Sequence, residues 1–512
     1  MGVPLRRFLT IHYLQMKKIV LTFAALAASS AAIAGGLLTN TNQHAAFLRN
    51  PSRQAIIGIE GVYTNPAGVA FMPQGFHLGV TWQAAMQKRQ MNVTNDLYKY
   101  NVNNPNATRL FEGEATAPVI PSIQAAYVIN DKWSVSANFA VAGGGGKCEF
   151  EQGLPMFEEL IGGSVAPAIL NSLVGNGMAP AGAPLTYTMN QNLTGEQYVY
   201  GLQLGATYKV TENISVYGGV RGILANCAYE GAITNFTVMG MPANNFTAGF
   251  AKASQEAAYA AQQYATAAQQ YAAAGKMAEA AAASDEAQKY AKLAKDAGSV
   301  ALVTKEDLEL DCKQDGIGFQ PIIGANFKFG KLNIGAKYEF RAKIELENES
   351  KNSDNVNQAF AQYADGNKVR SDIPALFTIG AQYEVTDNIR AMAGFNYYFD
   401  KDAKGSATAV SDDTYEITLG AEWDIDEHWT VGLGGQRTQY GFNDKDMTDT
   451  GFNISSYGLC VGGAYKFNET LKVNFGYLHS FYDDHKFTNA NGTACNYTRK
   501  NDVVGVSLDF KF

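Results

Sequence analysis

Beyond its first 34 residues the sequence has no run of 18 apolar residues, and this absence argues against a membrane-spanning helix in the rest of the chain. The five cysteines form no C-x-x-C motif and do not cluster with the six histidines, so we expect no metal site and no cofactor. No Gly-x-Ser-x-Gly motif or Ser/His/Asp group stands out, so the sequence does not indicate an enzyme. The excess of acidic over basic residues, 48 against 40, argues against nucleic acid as a partner.

The first 34 residues have the pattern of an export signal. Residues 16–18 (Met-Lys-Lys) begin a short basic region, and the apolar run 19–28 that follows is too short to span a bilayer comfortably. Residues 32–34 (Ala-Ile-Ala) fit a signal cleavage site, which places the start of the mature chain at Gly35. We expect translation to begin at Met16 rather than at Met1.

The rest of the chain alternates apolar and polar residues in many segments, and residues 502–512 show this most clearly. One face of that segment is apolar and ends on Phe512, whereas the other face is polar or glycine. An apolar face suits lipid and a polar face suits a wet lumen, so we predict an all-β protein of the bacterial outer membrane, a 14-stranded antiparallel transmembrane β-barrel. A large soluble β-sandwich is the alternative. The predicted strands are residues 75–92, 119–129, 132–143, 197–210, 213–228, 311–329, 331–348, 371–385, 388–400, 412–426, 428–441, 452–467, 470–486 and 499–512.

Short and long connections alternate between these strands. Six short turns, of which Asn130-Asp131 is one, would lie on the periplasmic rim, and seven long connections would lie on the extracellular rim. The predicted organisation is therefore an export signal (1–34), an N-terminal plug (35–74) and a barrel (75–512). The long connections are residues 93–118, 144–196, 229–310, 349–370, 401–411, 442–451 and 487–498.

The predicted plug is centred on a compact, turn-rich segment, residues 47–73, which lies between the export signal and the first strand. Within it, Pro66 fixes its own φ and extends Asn65, and Gly68 can take a positive φ. Alone, these residues would be an ordinary Asn-Pro turn. Their position predicts a plug inside the lumen, with Asn65, Pro66, Ala67 and Gly68 as its hinge.

The connection 144–196 begins within four consecutive glycines, residues 143–146, which indicate a kink or a break in strand pairing. From Ile161 to Gly195 it has no charged residue, and its apolar residues predict one or two short helices. Two interpretations remain open and are compatible. These residues pack on neighbouring loops, or they form a landing site for an apolar ligand.

Residues 249–298 are rich in Ala, Gln, Glu and Lys and have high helix propensity. Gly275 and the pair Ser284-Asp285 predict a break into two helices, arranged as an antiparallel hairpin. A solvated helical insertion is the favoured interpretation, with its tyrosines packed on the partner helix or the barrel rim. An arm that binds another protein is the alternative.

Six charged residues have the parity of the lumen, and we expect them to pair with one another or with the plug rather than to bind substrate. Cys227 and Cys312 lie near the outer ends of successive strands with the same parity. A disulfide between them, closing the base of the helical insertion, is a hypothesis in which Cys148 is a rival partner. The six charged residues are Lys337, Glu339, Arg341, Glu384, Glu416 and Glu422.

The sequence resembles the outer-membrane long-chain fatty acid and hydrocarbon transporter family (FadL/TodX type). Four features carry the resemblance: the plug with Asn65-Pro66-Ala67, the fourteen strands, the hairpin 121–143 and the apolar loop after the third strand. The helical insertion 249–298 departs from that family. The resemblance implies that an apolar ligand lodges on the loop after the third strand, enters a pocket beside the plug, and leaves sideways through a kink in the wall at Gly143 and Gly144. The residues that match the two ligand positions are Met156, Phe157, Leu160 and Ile161 on the loop, and Phe47, Leu48, Ile56 and Ile57 in the plug.

The sequence thus predicts passive import of long-chain fatty acids or similar hydrophobic molecules by a monomeric barrel surrounded by outer-membrane lipid. Two other classes stay open. One is a structural barrel or adhesin that acts through its helical insertion, and the other is a general porin for polar solutes. The plug and the uncharged loop favour the importer.

Overall fold

A computed structural model describes residues 39–405 and 410–512, so the predicted export signal lies outside the described residues. Fourteen antiparallel strands form one sheet, and β1 pairs with β14, which closes the sheet into a barrel as predicted. The strands are β1 Gly75–Thr94, β2 Thr108–Val128, β3 Trp133–Phe150, β4 Tyr187–Lys209, β5 Ile214–Val238, β6 Leu308–Phe329, β7 Leu332–Glu339 with its continuation Glu345–Ser350, β8 Lys368–Arg370 continued as Leu376–Glu384, β9 Ile389–Tyr398, β10 Thr414–Asp424, β11 Trp429–Gln439, β12 Ser456–Lys466, β13 Leu471–Tyr482 with its continuation His485–Thr488, and β14 Ala494–Lys511.

The helices all lie outside the barrel wall, in the plug and in the long connections. In the described part of the chain, none of them combines the length and the hydropathy needed to cross a bilayer. They are α1 Ala45–Arg49, α2 Gly61–Thr64, α3 Pro155–Leu160, α4 Ala166–Gly175, α5 Thr247–Ala273, α6 Met277–Thr304 and α7 Asp354–Ala359, and a π-helical turn, Ile161–Val165, joins α3 to α4.

The strand faces follow the alternation in the sequence. On β10, Leu419 is 61% exposed on the outside while its neighbour Thr418 is buried in the lumen, and β14 repeats the pattern with Val506 outside and Ser507 inside. A closed barrel with an apolar outer belt satisfies every backbone group without water, which is what a bilayer requires. The protein is an outer-membrane barrel, and the rim with the long connections is its extracellular side.

Several strands extend farther on the extracellular side than predicted. For example, β2 begins at Thr108 rather than at 119, and β3 continues to Phe150 rather than ending at 143. The reason is an inversion of polarity above the membrane belt. There, polar residues such as Glu114 and Lys147 face water, while apolar residues such as Phe111 and Phe150 face the interior. A strand prediction that requires apolar residues on the outer face therefore ends each strand too early on the extracellular side.

The plug is confirmed in the lumen, where residues 39–74 are almost entirely buried. Asn65 Nδ2 donates hydrogen bonds to Ile56 O (3.0 Å) within the plug and to Asn326 Oδ1 (2.8 Å) on β6. The wall also holds the next two residues, through Thr207 Oγ1 on Pro66 O (2.9 Å) and Ser215 Oγ on Ala67 O (2.6 Å). The Asn-Pro-Ala segment is thus an anchor of the plug to β4, β5 and β6.

Glycine is required at position 68 for a different physical reason from the one predicted. It lies in the turn Pro66–Phe71 and is not among the glycines with positive φ. A Cβ at this position would lie 2.4 Å from Asn65 Nδ2, so the close approach of the Asn65 side chain is what requires glycine here. The proposed hinge role of residues 65–68 stays a prediction.

The insertion is an antiparallel helical hairpin, as predicted. Its helices α5 and α6 meet at a turn in which Gly275 has a φ of +74°. Tyr264 stacks on Tyr290 across the hairpin, with ring centroids 5.4 Å apart, whereas Tyr259 is 64% exposed, so the tyrosines are only partly packed. The predicted break at Ser284-Asp285 is wrong, because the strong helix formers on both sides carry α6 through it.

Candidate ligand path

The apolar loop after β3 folds into the extracellular end of the barrel. Its helices α3 and α4 and the π turn between them pack against the inner faces of the strands that rise above the membrane. The four predicted ligand residues of this loop are therefore not exposed to water. They belong to one buried apolar cluster, here called the upper chamber, with exposed fractions of 5% for Met156, 4% for Phe157, 3% for Leu160 and 0% for Ile161.

A small recess of about 20 Å³ lies beside Phe157 in the wall of the upper chamber. Ile233 and Leu308 separate it from a second recess of about 270 Å³, which reaches the base of the helical hairpin and has Ile161 in its wall. The first recess is almost wholly apolar, and its remaining lining residues are Leu193, Gly231, Ala232, Leu310, Val356 and Phe360. Two of the four predicted loop residues, Phe157 and Ile161, thus border these recesses.

Two buried carboxylates hold α3 in place. Glu158 forms an ion pair with Arg109 and accepts a hydrogen bond from Asn101 Nδ2 (2.9 Å). Glu159 accepts hydrogen bonds from the last extracellular connection, including one from Asn489 Nδ2 (2.8 Å). The role of these two residues was not predicted from the sequence, because an acidic pair beside an apolar stretch has the pattern of a helix face exposed to water.

A second connection folds into the lumen beside α3, and its Phe452 and Ile454 belong to the upper chamber. Residues Asp449–Ile454, here called the inner loop, are all buried, and β12 begins at Ser456 rather than at the predicted 452. Asp449 Oδ2 accepts a hydrogen bond from the backbone N–H of Met156 at 2.6 Å, which caps the first turn of α3. The inner loop therefore supports the apolar helix.

The pH dependence of the inner loop follows from Asp449. Burial, aided by the nearby Glu159 carboxylate, raises the pKa of Asp449 to about 7, whereas an exposed Asp titrates near about 3.9. At a pH between these two pKa values, buried Asp449 keeps a proton that it would lose in water. The protonated carboxyl therefore stabilises the buried state of the loop at low pH, and this stabilisation is lost as pH rises through about 7. We expect lower hydrogen-exchange protection of the inner loop at pH 8 than at pH 6, and little such change in Asp449→Asn. An equal change in both proteins would contradict this assignment.

The plug residues predicted to bind ligand separate into two clusters. Phe47 and Leu48 belong to the middle cluster, which lies deeper in the barrel than the upper chamber. Ile56 is buried and Ile57 is half-buried, and Ile57 packs on a third cluster near the short-turn rim. These four residues do not share one pocket. The middle cluster is completed by Ala85, Ala117, Ile120, Val141, Cys460, Leu478 and Val503, with Tyr198 and Tyr200 packed against it.

Glu422 and Lys337 contact the plug and Glu339 pairs with another lumen residue, as predicted for these three. Glu422 Oε1 lies 2.7 Å from Arg49 Nε and also contacts Arg53 Nη2. Lys337 Nζ bonds Tyr63 O at 2.8 Å, and it pairs with Glu339 at 2.6 Å.

The other three charged residues behave differently. Glu416 is buried and accepts hydrogen bonds only from neutral groups in the described contacts, among them Tyr398 OH at 2.7 Å. Glu384 is exposed at the short-turn rim, and Arg341 is partly exposed and lies 3.9 Å from Asp372. For Glu384 and Arg341 the prediction of pairing inside the lumen is wrong, because Glu384 is the last residue of β8 and Arg341 lies in the break between the two parts of β7.

The barrel wall has an interruption between β2 and β3, here called the wall gap. Their ladder has no paired residues between Thr116 and Ser122 on β2, opposite the kinked part of β3. The kink contains Gly144 and Gly145, with φ of +65° and +112°, and a Cβ on Gly144 would lie 2.4 Å from Gln197 O. The kink therefore includes Gly144 of the predicted pair, with Gly145 rather than Gly143 beside it, and its role as a lateral opening stays a prediction.

The start of the plug covers the wall gap from inside. Asn40 donates from its backbone N–H to Ala142 O (2.8 Å) and from Nδ2 to Gly144 O (2.8 Å), which satisfies carbonyls that the interrupted ladder leaves free. The middle cluster borders the same gap through Ile120 and Val141. Outside, Val119 is 58% exposed on the apolar belt, so the gap lies at the level of lipid.

The predicted Cys227–Cys312 disulfide is absent, since all five cysteines are free thiols. Cys227 pairs in register with Gln314, and Cys312 pairs with Tyr229, so the two thiols are diagonal neighbours. Diagonal positions in a ladder are about 7–8 Å apart, too far for the short Cβ separation of a disulfide. The rival Cys148 is also unpaired. Among the residues at 39–405 and 410–512, no group of three or more His, Cys, Asp and Glu is placed to hold a metal ion.

No family model and no curated protein matches this sequence. Solved structures do resemble the barrel. A FadL homologue from Pseudomonas aeruginosa aligns over 93% of this chain and 100% of its own length, at 14% identity and a TM-score of 0.60. The Pseudomonas putida toluene transporter TodX aligns over 90% and 97%, at 12% identity and a TM-score of 0.52. The chain therefore has the fold of the FadL/TodX-type outer-membrane transporters, a closed barrel of 14 strands around an N-terminal plug.

Proposed function

We propose that the barrel takes up hydrophobic small molecules from outside the cell, with long-chain fatty acids as the leading class. One observation carries the proposal. The upper chamber, the middle cluster and the wall gap form a series of apolar surfaces from the extracellular rim to the lipid belt. The solved structures that share the fold include a toluene transporter, which agrees with an apolar cargo.

Capture begins at the recess beside Phe157. Each methylene of an acyl chain gains about 0.8 kcal/mol on leaving water, so an apolar wall holds a long chain without a specific polar contact. Met156, Leu160 and Ile161 then supply the apolar surface behind the recess. The ligand passes the inner loop and reaches Phe47 and Leu48 of the plug.

Release uses the wall gap. Withdrawal of Asn40 from the carbonyls of Ala142 and Gly144 opens the gap, and the ligand leaves sideways into the membrane. This route keeps the apolar tail out of the aqueous periplasm and needs no energy source, because the ligand moves from one apolar surface to the next. A porin for polar solutes would require an open lumen, whereas the plug fills this one.

The test places a charge at the border of the two recesses. Leu308 is 5% exposed between the exposed residues Asp307 and Glu309, so Leu308→Asp adds charge to the ligand surface at the end of a strand. We expect the initial rate of uptake of a labelled long-chain fatty acid by cells expressing the variant to fall at least about tenfold, because a buried charge raises the free energy of the bound state by more than about 1.4 kcal/mol.

Met178→Asp is the matched control. Met178 lies in the connection after α4 and is 66% exposed, so the same charge is solvated there and uptake should stay within about twofold of wild type. Unchanged uptake in Leu308→Asp would exclude the recesses as the entrance. Absence of saturable uptake in the wild-type protein would overturn the proposed function itself.

A further inference from the structure

A polar layer separates the upper chamber from the middle cluster. Along β1 the interior residues change from Met91 in the chamber to Arg89, and then to Ala85 in the middle cluster. Along β14 they change in the same way, from Tyr497 through Arg499 to Val503. A molecule that moves between the two apolar clusters therefore crosses this layer.

The two arginines lie directly opposite each other in the β1–β14 ladder, and each is at most 2% exposed. Two like charges in directly opposed positions destabilise a sheet, and burial increases the penalty. In the described structure the partners of the Arg499 guanidinium are neutral: Phe452 O, Asn453 Oδ1 and Gln87 Oε1. Its Nε atom is buried with no hydrogen-bond partner among the described residues.

These guanidinium groups hold the inner loop. Arg89 Nη1 donates to Thr450 O at 3.0 Å, and Arg499 Nη1 donates to Asn453 Oδ1 at 2.6 Å. The single carboxylate of the inner loop, Asp449, bonds Met156 N and Tyr497 OH instead. The loop thus occupies the polar layer through neutral oxygens, which are weaker acceptors for a guanidinium than a carboxylate is.

We propose that Arg89 and Arg499 form a binding site for the carboxylate of an amphiphilic ligand, and that binding there releases the inner loop. This inference rests on the proposed function and specifies the class of its ligand. The carboxylate takes the place of the loop oxygens on the two guanidinium groups, while the apolar tail stays in the upper chamber. With the loop displaced, the tail gains access to Phe47 and Leu48 in the middle cluster.

The experiment compares palmitate with hexadecanol, which has the same tail and no charge. Equilibrium binding of each to the purified full-length protein in detergent is measured at a pH where palmitate is ionised. We expect wild type to bind palmitate at least about tenfold more tightly than hexadecanol, because a charge-assisted hydrogen bond is stronger than a neutral one. In Arg499→Gln the preference for palmitate over hexadecanol should fall below about twofold.

Arg437→Gln is the matched control. Arg437 lies over a tyrosine ring, as Arg499 does, but its guanidinium forms a partly exposed ion pair with Asp483. Arg499→Lys should keep part of the preference because it keeps the charge. Hydrogen exchange supplies a second measurement on wild type alone, in which palmitate, and not hexadecanol, lowers the protection of the inner loop.

Each failure has a separate meaning. Equal affinity of wild type for palmitate and hexadecanol, or equal protection of the inner loop with both, overturns the carboxylate site and leaves the proposed uptake of apolar molecules intact. Absence of saturable binding of either compound overturns the proposed function together with this inference.

Discussion

Replacement of Glu422 by glutamine is expected to loosen the plug and to turn a closed barrel into one that conducts ions steadily. Glu422 is 3% exposed and contacts Arg49, Arg53 and Arg390, of which the first two are 1% exposed. Removing the acid takes the counter-charge from buried Arg49 and leaves Arg53 with only Glu60, 3.9 Å away, which costs about 3–5 kcal/mol. We expect a steady current in planar bilayers, together with a lower free energy of unfolding in denaturant.

Glu416→Gln is the control for this change, because Glu416 lies on the same strand and is equally buried. Its described partners are neutral groups, including Asn396 and Thr438, so the expected loss of stability is below about 2 kcal/mol and the plug should stay in place. Closed, stable barrels from both variants would show that the plug does not depend on its pairing with Glu422.

Replacement of Gly144 by valine is expected to stop release while leaving capture intact. Gly144 has a φ of +65°, and a β-branched side chain at such a φ is strained. Its Cβ would also meet Gln197 O at 2.4 Å, so β3 must leave its kinked path. Gly144 itself is not part of the upper chamber. We expect fatty acid binding to stay within about twofold of wild type. Uptake should fall at least about tenfold, because the strain and the clash together cost more than about 1.4 kcal/mol, which corresponds to a factor of ten.

Gly182→Val provides the comparison for backbone strain alone. Gly182 has a φ of +83° in the connection after α4, and a Cβ there meets no atom within 4 Å. Both variants force valine into the same disfavoured region, but only Gly144→Val alters the wall. Similar uptake by the two proteins would remove the wall gap from the proposed route.

The membrane part of the fold could be predicted because its rule is local. Lipid outside and polar groups inside impose a period of two on every strand, so segments such as 414–424 reveal both the strand and its faces. The strand count, the short turns and the helical hairpin follow from patterns of this kind. The extensions of β2 to β5 were missed because the same period continues there with the opposite polarity.

The candidate path was only partly predictable, because it depends on contacts between distant residues. The apolar content of the loop after β3 is visible in the sequence, but its position inside the barrel depends on partners of Glu158 and Glu159 elsewhere in the chain, such as Arg109 and Asn489. The inner loop looked like an ordinary connection. Nothing local distinguishes Arg89 and Arg499 from other lumen arginines, since their significance comes from the closure of β1 on β14.

The anchors of the plug also determine when it can become ordered during assembly. Arg49 is synthesised early, but its partner Glu422 lies 373 positions later, and His44 contacts Asp509, 465 positions later. Contacts of such long sequence separation carry the largest loop-closure entropy and form slowly. These two anchors can therefore form only after the C-terminal strands are in place, so complete sealing of the pore follows the folding of β10 and β14.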